Sequence, residues 1–195
     1  SVEELTNAYG AIANKGVFND AYLIEEIRDS NNEIVYKHEA QPKRIVSEQS
    51  AYLMTDMLRT VITDGSGKSL KTLFDKYGKI PIVGKTGTTQ NYSDVWFEGY
   101  TPDITLGVWV GYETQKYSLS TDGRNRARQI WAKVMNSVTD AKPELFPTKQ
   151  FEKPDGLVTK TVSSVSGKLP TELTRQAGRL TTDLFNKKFI PTEED

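Results

Sequence analysis

The chain has 195 residues, 36% of them hydrophobic, with 25 Lys plus Arg against 26 Asp plus Glu. That is enough for one domain with a real core, and the balanced charge leaves neither a basic stripe for nucleic acid nor an acidic block beyond the closing TEED. No run approaches the roughly 20 apolar residues of a membrane span, the start SVEELTNAYG lacks a signal peptide's features, and the absence of cysteine excludes disulfides and thiolate sites.

Ser1 and Glu4 form a capping-box pattern, and Leu5, Ala8, Tyr9, Ile12 and Ala13 recur at helical spacing before Gly16. A chain that opens on a helix cap is expected to be cut from something longer. AYLIEEI and EIVY flank RDSNN, which predicts strand, turn and strand. A second helix is expected after Ser47, with Met54, Met57, Leu58, Val61 and Ile62 on its buried face, ending near Gly65 to Gly67. IPIVGKTGTT, DVWFEGYT and ITLGVWVGYE then read as three strands joined by short polar turns, which favours antiparallel neighbours. A third helix is expected from about Arg124 to Val138, with Ala127, Ile130, Trp131, Val134, Met135 and Val138 buried. The order of elements predicts an α+β fold, an antiparallel sheet packed with helices. Residues 1–145 form one unit; Pro143, Pro147, Pro154 and Gly156 then break the chain, and 146–195 reads as a loosely structured C-terminal extension.

Two stretches resemble a phosphate-binding loop, and both fail on spacing and context. Such a loop needs Gly, four residues, Gly, Lys and Ser or Thr, between a strand and the start of a helix. Gly78 stands one residue too far from Gly84-Lys85-Thr86, and Ile62 occupies the first glycine position before Gly67-Lys68-Ser69. TTQNYSDVW after Lys85 has no helical period, and GSGKS follows a helix instead of a strand.

Lys85-Thr86-Gly87-Thr88, ending one apolar strand and preceding another, resembles the K-T-G element of serine penicillin-binding proteins and β-lactamases. The run GKTGTTQNYSDVWFEGYTPDITLGVWVGYE is similar to the matching strands of class A (bifunctional) penicillin-binding proteins. LTNAYGAIANKGVF and SAYLMTDMLRTVITDGSGKS are similar to that family's two preceding helices, so the resemblance covers residues 1 to about 140. It implies the C-terminal part of a transpeptidase domain of the serine β-lactamase/penicillin-binding transpeptidase fold. It also implies that Lys85 bonds an S-x-N serine and draws the substrate carboxylate, that Thr86 and Thr88 offer it hydroxyls, and that the Thr88 N–H is an oxyanion donor. Gly87, without a side chain, lets an extended D-Ala-D-Ala stem or a β-lactam lie along the strand. Taken singly, these residues have plainer readings: a solvated strand lysine, a packing glycine and β-forming threonines. Trp96, Phe97, Tyr100, Trp109 and Tyr112 are expected in core and inter-strand packing, His38 at the surface, and Glu98 exposed, since the family usually carries an apolar residue there.

The family's S-x-x-K is absent, because no serine has lysine three residues later. Ser30-Asn31-Asn32 fits S-x-N in letters but falls in the hairpin turn. The resemblance therefore predicts an inactive fragment of a D,D-transpeptidase whose nucleophile and general base lie upstream in the same protein. Implied partners are peptidoglycan stem peptides, β-lactam antibiotics and that upstream part, with no nucleic acid, metal or organic cofactor. The implied location is the extracytoplasmic face of the bacterial membrane, through an N-terminal anchor outside this chain. The competing reading is a non-catalytic module that binds penicillin or wall peptides as a sensor.

Overall fold

The computed structural model describes all of residues 1–195. Helix α1 (Val2–Ala13) opens on the expected capping box: Ser1 Oγ accepts the Glu4 N–H at 3.1 Å, and the Glu4 carboxylate accepts from the Ser1 amino group at 2.6 Å. A short ladder joins β1 (Val17–Phe18) to β4 (Lys43–Arg44). Between them lies the hairpin of β2 (Glu26–Arg28) and β3 (Ile34–Lys37). Its first strand is shorter than AYLIEEI suggests: Leu23 is 97% exposed, and Tyr22 leaves the ladder to stack on His38 at 4.0 Å. The Asp29 carboxylate accepts from the Asn31 and Glu33 N–H groups, and Asn32 has φ 66°, so Ser30-Asn31-Asn32 is turn chemistry.

Helix α2 (Glu48–Thr63) starts where Ser47 Oγ accepts the Ser50 N–H. Its buried stripe is Ala51, Thr55, Leu58 and Ile62, whereas Met54 and Met57 are exposed, so the expected face is rotated. A buried polar pair causes the shift: Thr55 Oγ1 donates to Ala51 O at 2.9 Å and sits 2.8 Å from the Tyr100 hydroxyl. One turn of helix, α3 (Leu70–Leu73), carries Leu70 into the core.

The centre is the expected antiparallel meander of β5 (Val83–Thr88), β6 (Asp94–Tyr100) and β7 (Thr105–Gly111), in the order β5-β6-β7. Opposite residues share a face, so register assigns the two surfaces. Thr86 opposes Phe97 and Thr88 opposes Val95 on one face; Lys85 opposes Glu98 and Gly87 opposes Trp96 on the other. The first face packs on α4 (Arg126–Ala141), which buries Ala127, Trp131, Ala132, Met135 and Thr139. Ile130 and Val134, expected in that stripe, are about 40% exposed. Trp131 is fully buried, edge-on to Phe97 (5.4 Å) and Phe74 (5.9 Å), and its Nε1–H donates to Leu106 O at 3.0 Å. Gly99 permits this contact, since a Cβ there would lie 2.9 Å from the indole. Helix α1 lies against the opposite face, and α2 flanks β5, where Leu58, Val83 and Tyr100 form a second cluster with Tyr9, Ile12 and Phe151.

Phe146 enters the main core beyond α4. Residues Leu157–Ser163 (β8) and Leu180–Asn186 (β9) pair over seven register positions, with α5 (Glu172–Gln176) in the connection. No helix is long and apolar enough to cross a membrane.

Candidate active-site strand

β5 is an edge strand with β6 on one side only. The Thr89 N–H bonds Asp94 O at 3.3 Å, which fixes the phase of the ladder. Antiparallel pairing alternates, so Lys85 and Gly87 turn their backbone groups toward β6, while Thr86 and Thr88 turn theirs to the open edge. The Thr86 carbonyl is used there by Lys85, whose Nζ donates to it at 2.8 Å. Thr88 keeps an outward N–H beside a position without a side chain. A Cβ on Gly87 would approach Trp96 Cβ at 3.0 Å.

The side chains of this segment divide between the two faces. Lys85 is exposed on the α1 side, and Thr86 and Thr88 point to the α4 side. Thr86 Oγ1 sits 2.5 Å from Ser66 Oγ. Ser66 belongs to the GSGKS turn, where the Gly65 and Gly67 N–H groups bond Thr60 O and Val61 O as α2 unwinds. Those amides are spent on the helix end, which removes the phosphate-cradle reading on physical grounds. Below Thr88, Thr89 Oγ1 accepts the Asp94 N–H at 3.1 Å and meets Ser93 Oγ at 2.9 Å, closing a turn in which Asn91 and Tyr92 have positive φ. The Arg124 guanidinium lies 3.6 Å from the Tyr92 ring centroid and caps that turn.

A cavity of about 200 Å³ opens between β5 and the start of α4, lined by Ser66, Thr86, Gly87, Thr88, Trp96 and Arg128 among others. Register turns the Trp96 side chain to the opposite face, where it packs against Trp109 at 6.4 Å between ring centroids, as expected. Phe97 and Tyr100 are fully buried as expected, whereas Tyr112 is 46% exposed. Arg128 donates to Ser66 O and to Asn125 Oδ1, and burial pushes its guanidinium below the usual arginine range. The sequence reading missed this residue. The signal was present: Arg124, Arg126 and Arg128 crowd the start of a helix whose first turn carries no acid, where the helix dipole disfavours cations.

Glu98 corrects another expectation, for it is 2% exposed instead of solvated. It lies on the Lys85 face under α1, where Thr6 Oγ1 donates to its Oε2 at 3.2 Å while Oε1 is buried without a partner. Burial pushes its carboxyl up to about 7, against which the Thr6 hydrogen bond works. Because the folded value stands above the ordinary 4.5, the native state binds more protons between them. Stability should therefore fall as pH rises from about 4.5 through 7 and remain lower above it. A tenfold protonation ratio is worth ~1.4 kcal/mol, so the ionised group costs the fold on the order of 3 kcal/mol. Denaturant unfolding of the transpeptidase domain at pH 5 and pH 8 should show this slope in the wild type and lose it in Glu98→Gln; an unchanged slope in the variant would contradict the assignment.

A helix-packed antiparallel sheet with a K-T-G strand open along one edge is the fold class that the sequence resemblance implies. Residues 1–136 match the family model of the penicillin binding protein transpeptidase domain, and 153–195 match that of the penicillin-binding protein 1A C-terminal domain. The chain thus belongs to the penicillin-binding protein transpeptidase family. It is 31% identical over 194 residues to penicillin-binding protein 1A of Clostridium novyi, covering 98% of this chain and 21% of that protein. With the Aquifex aeolicus penicillin-binding protein 1A it is 33% identical over 152 residues, covering 77% and 20%. It spans about a fifth of the length of these curated relatives. Penicillin-binding protein 1A from Haemophilus influenzae superposes with a TM-score of 0.78 at 20% identity, over 98% of this chain and 32% of that one. PonA1 from Mycobacterium tuberculosis in complex with penicillin V gives 0.63 at 20% identity, over 77% and 40%. These two likenesses establish the fold.

Proposed function

We propose that this chain supplies the K-T-G side of the cleft of a D,D-transpeptidase, part of a bifunctional peptidoglycan synthase that cross-links stem peptides and is acylated by β-lactams. The observation that carries the reading is the open edge of β5, where the outward Thr88 N–H, the bare Gly87 and the Lys85 ammonium stand side by side. An extended D-Ala-D-Ala stem adds to that edge as a strand, with its scissile carbonyl on the Thr88 N–H.

A serine from the upstream part of the same protein attacks that carbonyl. The peptide C–N bond breaks, terminal D-Ala leaves with the proton taken from the serine, and an acyl ester remains. The acceptor stem's amine then displaces the serine oxygen, which regains a proton. Lys85 contributes a fixed ammonium beside the serine of S-x-N and the substrate carboxylate, and Thr86 and Thr88 add hydroxyls. A β-lactam enters through the same edge, and its ring amide takes the place of the scissile bond. In this reading residues 1–145 are the C-terminal part of the transpeptidase domain and 146–195 an extension appended to it. The parent protein is held on the extracytoplasmic face of the bacterial membrane by an N-terminal helix.

Fluorescent penicillin tests the reading. The parent protein should carry a covalent label that survives denaturation, and residues 1–195 alone should carry none. An unlabelled parent, or a labelled isolated chain, would contradict it.

A further inference from the structure

We propose that the β2–β3 hairpin is a docking surface for an extended, basic segment of another protein, which pairs along the free edge of β3 and lays its apolar side chains on those of the hairpin. The inference is independent of the cleft and concerns the other end of the sheet. The end of α1 and the start of β1 share a cavity wall with Pro102 and Asp103 in the β6–β7 turn, whereas Thr88 pairs with Val95 at the opposite end of β6.

Three observations carry it. First, the hairpin is apolar without being core. Leu23 and Val35 are 97% and 63% exposed, and Ile24 and the cross-strand pair of Ile27 and Tyr36 are exposed as well. No residue from 19 to 46 belongs to either core cluster. Single exposed apolar residues are ordinary, but a run of them on one projecting element marks an interaction site. Second, the hairpin is an unfinished sheet. Two strands alone are marginal in water, and β3 pairs with β2 only. Apart from the register shift at Ile27 and Arg28, little blocks a further strand: β3 has no proline and one charge, Lys37. The base is held in place, since the β1–β4 ladder closes beneath it and Arg44 donates to Lys15 O at 2.8 Å. A surface presented in a fixed position costs less to bind.

Third, charge selects the partner. Between residues 20 and 39, Asp20, Glu25, Glu26, Asp29, Glu33 and Glu39 stand against Arg28 and Lys37 alone. Of the molecule's ion pairs, only Glu26–Arg28 falls in this segment. An acidic rim around apolar side chains complements a basic segment. It opposes a second copy of this chain, whose hairpin has the same sign, and an anionic lipid surface, which attracts basic patches.

The test uses the full parent protein and a fluorescent peptide of about eight residues alternating lysine with valine, a length that spans one ordinary strand. Anisotropy should show binding that weakens as salt rises and is unchanged after penicillin treatment. A peptide of the same composition with its valines grouped at one end should bind far more weakly. Leu23→Ser with Val35→Thr should weaken binding roughly tenfold or more, the scale of leaving one buried apolar side chain unmatched. Glu25→Lys with Glu33→Lys should weaken it as much and remove most of its salt dependence. All four side chains are exposed, so both variants should keep the wild-type thermal midpoint. No binding by the parent protein, equal binding of the two peptides, or wild-type binding by both variants overturns the proposal. So does loss of binding after penicillin treatment, which would place the peptide on β5. A parent dimer, or adhesion to phosphatidylglycerol vesicles, that disappears in Leu23→Ser with Val35→Thr would assign the hairpin to a second copy or to lipid and overturn it equally.

Discussion

Replacing Lys85 with alanine should slow acylation of the parent protein by penicillin roughly 10²–10³-fold, the loss expected when one preorganised donor to developing charge is removed. The side chain is exposed, and its one hydrogen bond is to the neighbouring Thr86 carbonyl. Folding stability should accordingly stay within about 0.5 kcal/mol of wild type. Lys85→Arg should recover little, because a planar fork cannot occupy the place of a compact ammonium on a strand. The measurement is the second-order rate constant for adduct formation, with the thermal midpoint as control. A rate within threefold of wild type would show Lys85 to be a solvated strand lysine and nothing more.

The other large effect lies in the core. Trp131→Ala should destabilise the domain by about 3–5 kcal/mol, because Trp131 is completely buried, touches Phe97 and Phe74 edge-on and satisfies the Leu106 carbonyl. Small-residue repacking offers little relief, since Gly99 beneath the indole has no side chain to advance into the gap. The loss reaches function as well as stability: Phe97 is the register partner of Thr86, so a collapse there shifts the K-T-G strand itself. Denaturant midpoints at constant m-value check the prediction. A loss below 1 kcal/mol would mean that α4 is not what supports the sheet.

The meander and the K-T-G segment were legible because alternation and short polar turns are local signals, and register follows once one face is buried. Helix faces were legible only to within a turn. Met54, Met57, Ile130 and Val134 look like core by hydropathy, yet Thr55 and Thr139 are buried in their place. Polar partners such as the Tyr100 hydroxyl are long-range in sequence and leave no periodic trace. Glu98 was misplaced for a related reason: a lone acid on a strand reads as solvated, and only the helix laid over it shows otherwise. In the polar tail, β9 went unread because four of its seven residues, Leu180, Thr181, Thr182 and Asp183, are exposed and none is buried; a ladder with β8 holds it, including the 3.0 Å contact of the Thr161 and Thr182 hydroxyls. Ser66 joins Arg128 and Thr86 across 62 and 20 residues of chain, a juxtaposition that only tertiary structure supplies.

Peptide mapping of the penicillin-treated parent protein tests the half-cleft most directly. A penicilloyl mass on a serine outside these 195 residues, formed far more slowly in Lys85→Ala, is the expected result. A penicilloyl group on any serine within them, or none anywhere, would contradict the assignment of this strand to the wall of an acyl-transfer site.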